Sequence, residues 1–447
     1  MKRVLVLAYF FPPLGGGGCQ RTLKLVRYLE PEGWRSTVVT TRDTDYWILD
    51  PTLEDEIPAE TEIVRVGGLT AGKLLTTISR AGIPVQDGHG RRRPGAFRAL
   101  RSIQRFLLVP DAYRSWANAA EHAADARIRR GGIDAIWTTS SPESAHLAGL
   151  ALKKKHHIPW VADFRDPWVG RVTYKPPTPW HDARHRAMER RVVSAADRVT
   201  LVSEAMVALY RKRYPMIDAE RFVFLPNGFD PDDWRRADLV LVARTARERG
   251  VPPPERFVLL HAGQLAHRPT VRTLLEAARL VMARDPLARD TLRLRFMGGN
   301  EEIGPRERER YGLGEALEFV ASQPHIESLA SMRGADALLL LGHGGAADSL
   351  LYTGKIYEYL SSGRRVLAIL DQGPAADLIR SSGAGRVVRP GDLEGVAETL
   401  LGWLAEARNG NPGVVRISTD LLGAWERPNL ALQASKILEK IASAKHR

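Results

Sequence analysis

The short apolar run over residues 335–341, ending Leu338-Leu-Leu-Leu341, constrains this chain more than any other stretch. It is too short to span a membrane and too uniformly apolar for a strand with one wet face. It reads as a strand buried on both faces of a sheet. Gly342, His343, Gly344 and Gly345 follow, and Thr353-Gly-Lys355 then opens a helix with apolar Ile356 and Leu360. Gly363 ends that helix, and residues 366–370 form a second apolar run. Two buried parallel strands need such a crossover between them. Glycines beside a helix start offer unpaired N–H groups and a partial positive charge to an anion. Lys355 adds a full charge, and Glu358, one turn on, is placed to accept hydrogen bonds from a pair of hydroxyls. A diphosphate joined to a ribose suits this layout.

The same alternation runs through the rest of the chain. Residues 4–8, 36–40, 63–66, 134–138, 160–164 and 198–202 read as strands, with helices over 22–29 and 144–154. The turn-rich stretch 224–234 reads as a linker. A second series follows, with strands over 257–261, 292–297, 317–320, 337–341 and 366–370 and a helix over 270–283. The expected fold class is α/β, with two Rossmann-like, doubly wound parallel-sheet domains facing a central cleft. A length of 447 residues suits two cores. The expected division is a first domain over 1–225, a linker over 226–255, a second domain over 256–420, and a C-terminal helix over 421–447 packed back on the first domain.

The net charge is +13, which draws a chain to phosphates, nucleic acid or an anionic membrane, or simply covers solvated faces. Basic motifs interleaved with aromatics and zinc-finger spacings are both missing, so nucleic acid is not an expected partner. No run of about 18 apolar residues occurs, so no transmembrane helix is expected. The chain enters directly as a strand, unlike a signal or transit peptide. Cys19 is the single cysteine, which excludes an intrachain disulfide or a multi-cysteine metal site and fits a reducing cytoplasm.

Four further motifs carry chemistry. Directly after the first strand, four glycines, Gly15 to Gly18, precede Cys19-Gln-Arg21. Such a loop lets a ligand approach the backbone closely, but it lacks both the dinucleotide and the Walker spacing. Gly16, Gly17 and Gly18 are read as a phosphate or sugar loop, or else as a surface turn. In Trp160-Val-Ala-Asp-Phe-Arg-Asp-Pro-Trp168, the side chains of Asp163, Arg165 and Asp166 end a strand and are candidates for acid/base work or sugar hydroxyls. The alternative is an internal Arg–Asp ion pair that shapes the loop. After residues 257–261, Gly263, His267 and Arg268 are placed to reach a phosphate. Glu143 and His146 sit at a helix start after Ser140-Ser-Pro and form either an acceptor wall or a helix cap. A basic stretch over 91–109 carries Phe97, Leu100, Ile103 and Leu107 at helical spacing, and suits an anionic membrane surface as well as it suits a core helix.

Taken in order, the early glycine loop, Pro226-Asn-Gly228, the Gly263 loop, and Gly354-Lys355 with Glu358 and Gly363 resemble the retaining glycosyltransferases of family 4, which have the GT-B fold. The likeness covers nearly the whole chain. The run Ala162-Asp-Phe-Arg-Asp-Pro-Trp168 resembles a bacterial branch tied to cell-surface polysaccharides. The resemblance implies a cytoplasmic enzyme, and the basic stretch over 91–109, on its membrane reading, would make it peripheral on the inner face of the plasma membrane. It would transfer a hexose from a nucleotide-diphosphate sugar to a saccharide or lipid-linked acceptor with retention. No metal or other cofactor is implied. Gly354 and Lys355 would hold the diphosphate, Glu358 the ribose, and Gly16 to Gly18 the donor from the other domain. Lys355 would also serve catalysis, by electrostatic stabilisation of the leaving diphosphate. Counting back from Glu358 along the family's E-x7-E motif, Leu350 stands where the first glutamate is expected, with Asp348 and Ser349 nearest; Asp348 or backbone groups are the expected substitute. A nucleotide-sugar epimerase on the same fold, or a non-catalytic nucleotide-sugar-binding scaffold, are the other two readings.

Overall fold

The computed structural model describes residues 1–43, 48–68, 106–171, 174–247, 256–263, 265, 270–298, 305–345, 348, 354–411 and 413–444. The chain divides into two compact units, Met1–Pro226 with Leu430–Arg447, and Asn227–Asn429.

In the first unit the strands are β1 (Lys2–Leu7), β2 (Trp34–Thr41), β3 (Glu62–Val66), β4 (Ala135–Ser140), β5 (Trp160–Phe164), β6 (Arg198–Leu201) and β7 (Phe222–Phe224). They form one parallel sheet in the order β3-β2-β1-β4-β5-β6-β7. Alternate residues feed two cores. Val4, Val6, Trp137 and Val161 pack on one side with Leu23 and Val26 of helix Gly17–Leu29. Leu5, Leu7, Ile136 and Ala162 pack on the other with Trp116 and Val192. Both faces are covered, as an all-parallel sheet requires.

The second unit holds β8 (Phe257–Ala262), β9 (Leu292–Met297), β10 (Leu317–Val320), β11 (Ala337–Leu341), β12 (Arg365–Ile369) and β13 (Gly385–Val388). They too are parallel, in the order β10-β9-β8-β11-β12-β13. Leu339 and Leu341 enter one core, Leu338 and Leu340 the other, so the run that opened the argument is buried on both faces. In each sheet the strand order reverses beside the first strand, between β1 and β4 and between β8 and β11. In such sheets ligands bind beyond the carboxyl ends of the strands at that point.

One element departs from the sequence reading. Part of the stretch expected as a linker is the helix Pro231–Arg247, inside the second unit. The turn chemistry was a helix start: the Asp230 carboxylate accepts the Asp232 N–H at 2.9 Å, and proline occupies the first helical position. The C-terminal helix Arg427–Ala444 places Leu430, Ala434, Leu438 and Ile441 in the core that holds Val4 and Val6.

Candidate functional site

The site residues of the first unit cluster where β1, β4 and β5 end. Gly16, at φ 89°, caps the helix Gly17–Leu29. A Cβ on Gly18 would stand 2.0 Å from the Arg165 guanidinium, so only glycine lets that side chain lie against the loop. Beside Gly17 the space is open to 4 Å among the described residues. Arg165 also donates to the Ser140 and Ser141 carbonyls, the latter at 3.0 Å, and its guanidinium lies 5.8 Å from the Phe10 ring centre. It therefore ties the end of β4 to the glycine loop.

Asp163 is buried and saturated. One of its oxygens accepts Arg21 Nε at 2.9 Å and Thr139 Oγ1 at 2.8 Å; the other accepts Arg21 Nη2 at 2.6 Å and Thr200 Oγ1 at 2.7 Å. Burial raises its pKa, but the charge and hydrogen bonds of Arg21, helped by the two threonines, outweigh this and hold the carboxyl below its usual range. Arg21 also donates to the carbonyls of Leu225 and Pro226 at 3.0 and 2.7 Å. An internal Arg–Asp pair does shape this loop, but its arginine is Arg21, at the start of the first helix. Asp166, three residues on, is exposed.

Glu143 is buried and accepts Arg171 Nη1 and, at 3.3 Å, Ser141 Oγ. The helix start beside it is capped from a distance: Asp111 accepts Ser144 N–H and Oγ, each at 2.8 Å. Burial and then the charge of Glu143 push the Asp111 carboxyl up to about 6, against those hydrogen bonds. His146 presents nothing to solvent. Its ring lies 4.3 Å from Phe164 and its Nδ1 is 2.7 Å from Thr138 Oγ1. Burial pushes the imidazole down to about 4, against Asp163 and Glu143, so it is neutral at physiological pH. Of the pair expected as an acceptor wall, His146 is a core residue and Glu143 is committed to Arg171.

In the second unit Gly263 follows β8 at φ 121°, and its N–H donates to the Met297 carbonyl at 2.6 Å. A Cβ there would lie 1.6 Å from Lys355 Nζ, so the ammonium rests directly over the glycine backbone. Lys355 opens the helix Lys355–Ser361, and Gly354 before it packs against Asn227, whose Cβ lies 3.6 Å from the position of an added Cβ. Tyr359 braces the helix: its hydroxyl accepts the Ala262 N–H at 3.0 Å and donates to the Leu339 carbonyl at 3.3 Å. Glu358, half-buried, has an oxygen 3.8 Å from His325 Nε2, and that nitrogen is 3.5 Å from an oxygen of buried Asp233.

Asp348, the expected substitute for the missing glutamate, serves the backbone in this fold. It is buried, and its carboxylate accepts the N–H groups of His343 at 2.8 Å, Gly344 at 3.2 Å and Asp371 at 2.9 Å, stapling the glycine loop to the end of β12. His267, Arg268, Ser349 and Leu350 lie outside the described residues. Sequence reasoning missed Arg21, Arg171, His325 and Asp233. Arg21 alone carried a signal, as a charged residue one position past the glycine loop and cysteine.

Residues 16–228 match the family described as Glycosyl transferase 4-like domain. Two parallel Rossmann-like sheets in one chain define the class as a GT-B fold, and the match to that domain falls on the first unit. The chain is similar to the D-inositol 3-phosphate glycosyltransferase of Geodermatophilus obscurus, 31% identical over 164 residues, which are 35% of each protein. The match thus spans about a third of that curated relative. Among solved structures it is similar to a sucrose-phosphate synthase from Thermosynechococcus elongatus, with a TM-score of 0.63, 16% identity and 99% and 100% of the two chains covered. It is also similar to a UDP-GlcNAc 2-epimerase from Methanocaldococcus jannaschii, with a TM-score of 0.56, 13% identity and 98% and 100% covered. At such identities the likeness is one of fold, and one fold serves both reactions.

Proposed function

We propose that the chain is a retaining glycosyltransferase of bacterial cell-surface polysaccharide or glycoconjugate synthesis. It moves a hexose from a nucleotide-diphosphate sugar to a saccharide or lipid-linked acceptor in the cytoplasm. The observation that carries this reading is Lys355 Nζ lying over the bare backbone of Gly263, with the Glu358 carboxylate one helical turn away. An ammonium over a glycine accepts a diphosphate that a side chain would exclude, and a carboxylate at that offset accepts two ribose hydroxyls. His267 and Arg268 add charge to the same loop in this proposal.

As the bond from the anomeric carbon to the diphosphate oxygen breaks, negative charge grows on the leaving group. Lys355 is already in place to stabilise it. The acceptor oxygen bonds to the same face of the sugar, and its proton passes to the departing diphosphate. No step is assigned to a metal. In the first unit, Gly16, Gly17 and exposed Asp166 are the groups open to a ligand, while Arg165 covers Gly18 and, with Asp163 and Glu143, holds the loops that carry them.

Incubation with a panel of nucleotide sugars, with and without saccharide or lipid-linked acceptors, tests the reading. Nucleotide release that requires an acceptor is expected. Interconversion of donor sugars without acceptor, as an epimerase would give, or tight nucleotide binding with no turnover, as a scaffold would give, contradicts it.

A further inference from the structure

Helix Pro179–Ala195 of the first unit buries His181, Met188, Glu189, Val192 and Val193 and turns its other side to solvent. That outer side carries Trp180, Arg184, Arg186, Arg190 and Arg191, all exposed. Trp180, Arg184 and Arg191 recur at helical spacing along one stripe. Arg186 pairs with Asp182, which also accepts the Tyr174 hydroxyl, and Glu189 is buried with Arg213. Among the described residues Arg184, Arg190 and Arg191 have no carboxylate partner. Among the described residues of this helix both acids, Asp182 and Glu189, are paired, so the face is basic.

The tip of this face is apolar. Trp180 is 61% exposed, Phe106 55% and Leu107 71%. Buried His181 holds them side by side: its ring centre is 4.9 Å from both the Trp180 and the Phe106 ring centres, and its Nε2 is 3.0 Å from the Phe106 carbonyl. Arg184 lies over the Trp180 ring at 5.8 Å. A tryptophan, a phenylalanine and a leucine clustered in water lose hydration free energy that only an apolar neighbour can recover.

We infer that this face docks on an anionic lipid bilayer, with Trp180, Phe106 and Leu107 entering the interface and the arginines against the headgroups. An amphipathic arrangement of tryptophan at the water–lipid boundary with arginines behind it matches a negatively charged leaflet. A nucleic acid would use the arginines but leave Phe106 and Leu107 in water. The inference does not depend on the transferase reading, since binding to vesicles is read without turnover.

The full-length chain is sedimented with vesicles of phosphatidylcholine alone and of phosphatidylcholine mixed with phosphatidylglycerol. Binding to the anionic vesicles only, reduced by added salt, is expected. Two variants at exposed positions separate the terms. Trp180→Ser should weaken binding at every salt concentration. Arg184→Glu with Arg191→Glu should weaken it by more than the roughly five-fold expected for each neutralised charge and remove most of its salt dependence. Circular dichroism and the melting temperature of both variants should match those of the parent. No binding to anionic vesicles at low salt, or unchanged binding in both variants, overturns the inference. So does displacement of the protein from vesicles by duplex DNA with Trp180→Ser behaving as the parent, which would make the face a nucleic-acid surface.

Discussion

Asp163 meets four donors on its two oxygens, and its ion pair with Arg21 joins residues 142 apart in the chain. That pairing was not legible in the sequence, because nothing local marks which of many arginines reaches the carboxylate; Arg165, two residues away, points at the β4 carbonyls instead. Asp163→Asn leaves Arg21 buried with half a partner, and should cost about 3–5 kcal/mol in urea unfolding at neutral pH. The sign with pH follows from the lowered pKa of the folded state. The contribution is complete above the unfolded value of about 3.9 and is lost as pH falls through the folded value, so parent and variant should converge in acid. His146 also costs stability toward acid, but because the fold holds it neutral rather than charged. Neutral in the fold, it gains a proton in the unfolded chain below about pH 6.5, so stability drains between there and about 4. Its NMR ring signals should stay flat through neutral pH and move only near pH 4. Asp348 shows the limit of motif counting. Its distance from Glu358 suggested a substitute sugar contact, whereas in the fold three backbone N–H groups occupy most of its lone pairs. Lys355→Ala should lower kcat roughly a hundred- to thousandfold with the fold intact, measured with whichever donor turns over.

Elements with uniform burial were the most legible. Runs such as 337–341 declare themselves because both faces of a parallel strand are dry. Short edge strands such as β7 and β13 went unread; β13 is half wet, and Gly385 fits there because a Cβ would sit 2.0 Å from the Val366 carbonyl. Helix Pro231–Arg247 was hidden by its own capping residues. The helix Arg427–Ala444 is predicted to be integral to the first unit: its Leu438 is wholly buried among Val4, Val6 and Leu23, and Lys2 pairs with Glu439. Leu438→Ala should cost about 2–5 kcal/mol by denaturant titration, and ending the chain at Asn429 should expose that core and give insoluble protein.

At the scale of the whole molecule, the chain builds the same arrangement twice. Each unit places a glycine-bearing loop after its first strand, where the strand order reverses. In the first unit a guanidinium rests on Gly18; in the second an ammonium rests on Gly263. The two are not equivalent. Arg165 is spent on backbone carbonyls, while Lys355 stands one turn from a carboxylate that shares His325 with Asp233. On this ground we propose that the nucleotide binds the second unit. The most direct measurement is calorimetric titration of the parent and of Glu358→Ala with UDP, GDP and ADP and with the sugar donor that turns over. The account predicts that one nucleotide diphosphate binds the parent, and that Glu358→Ala weakens it roughly ten- to hundredfold, the worth of one charge-assisted hydrogen bond to a ribose hydroxyl. Unchanged donor affinity in Glu358→Ala would contradict it.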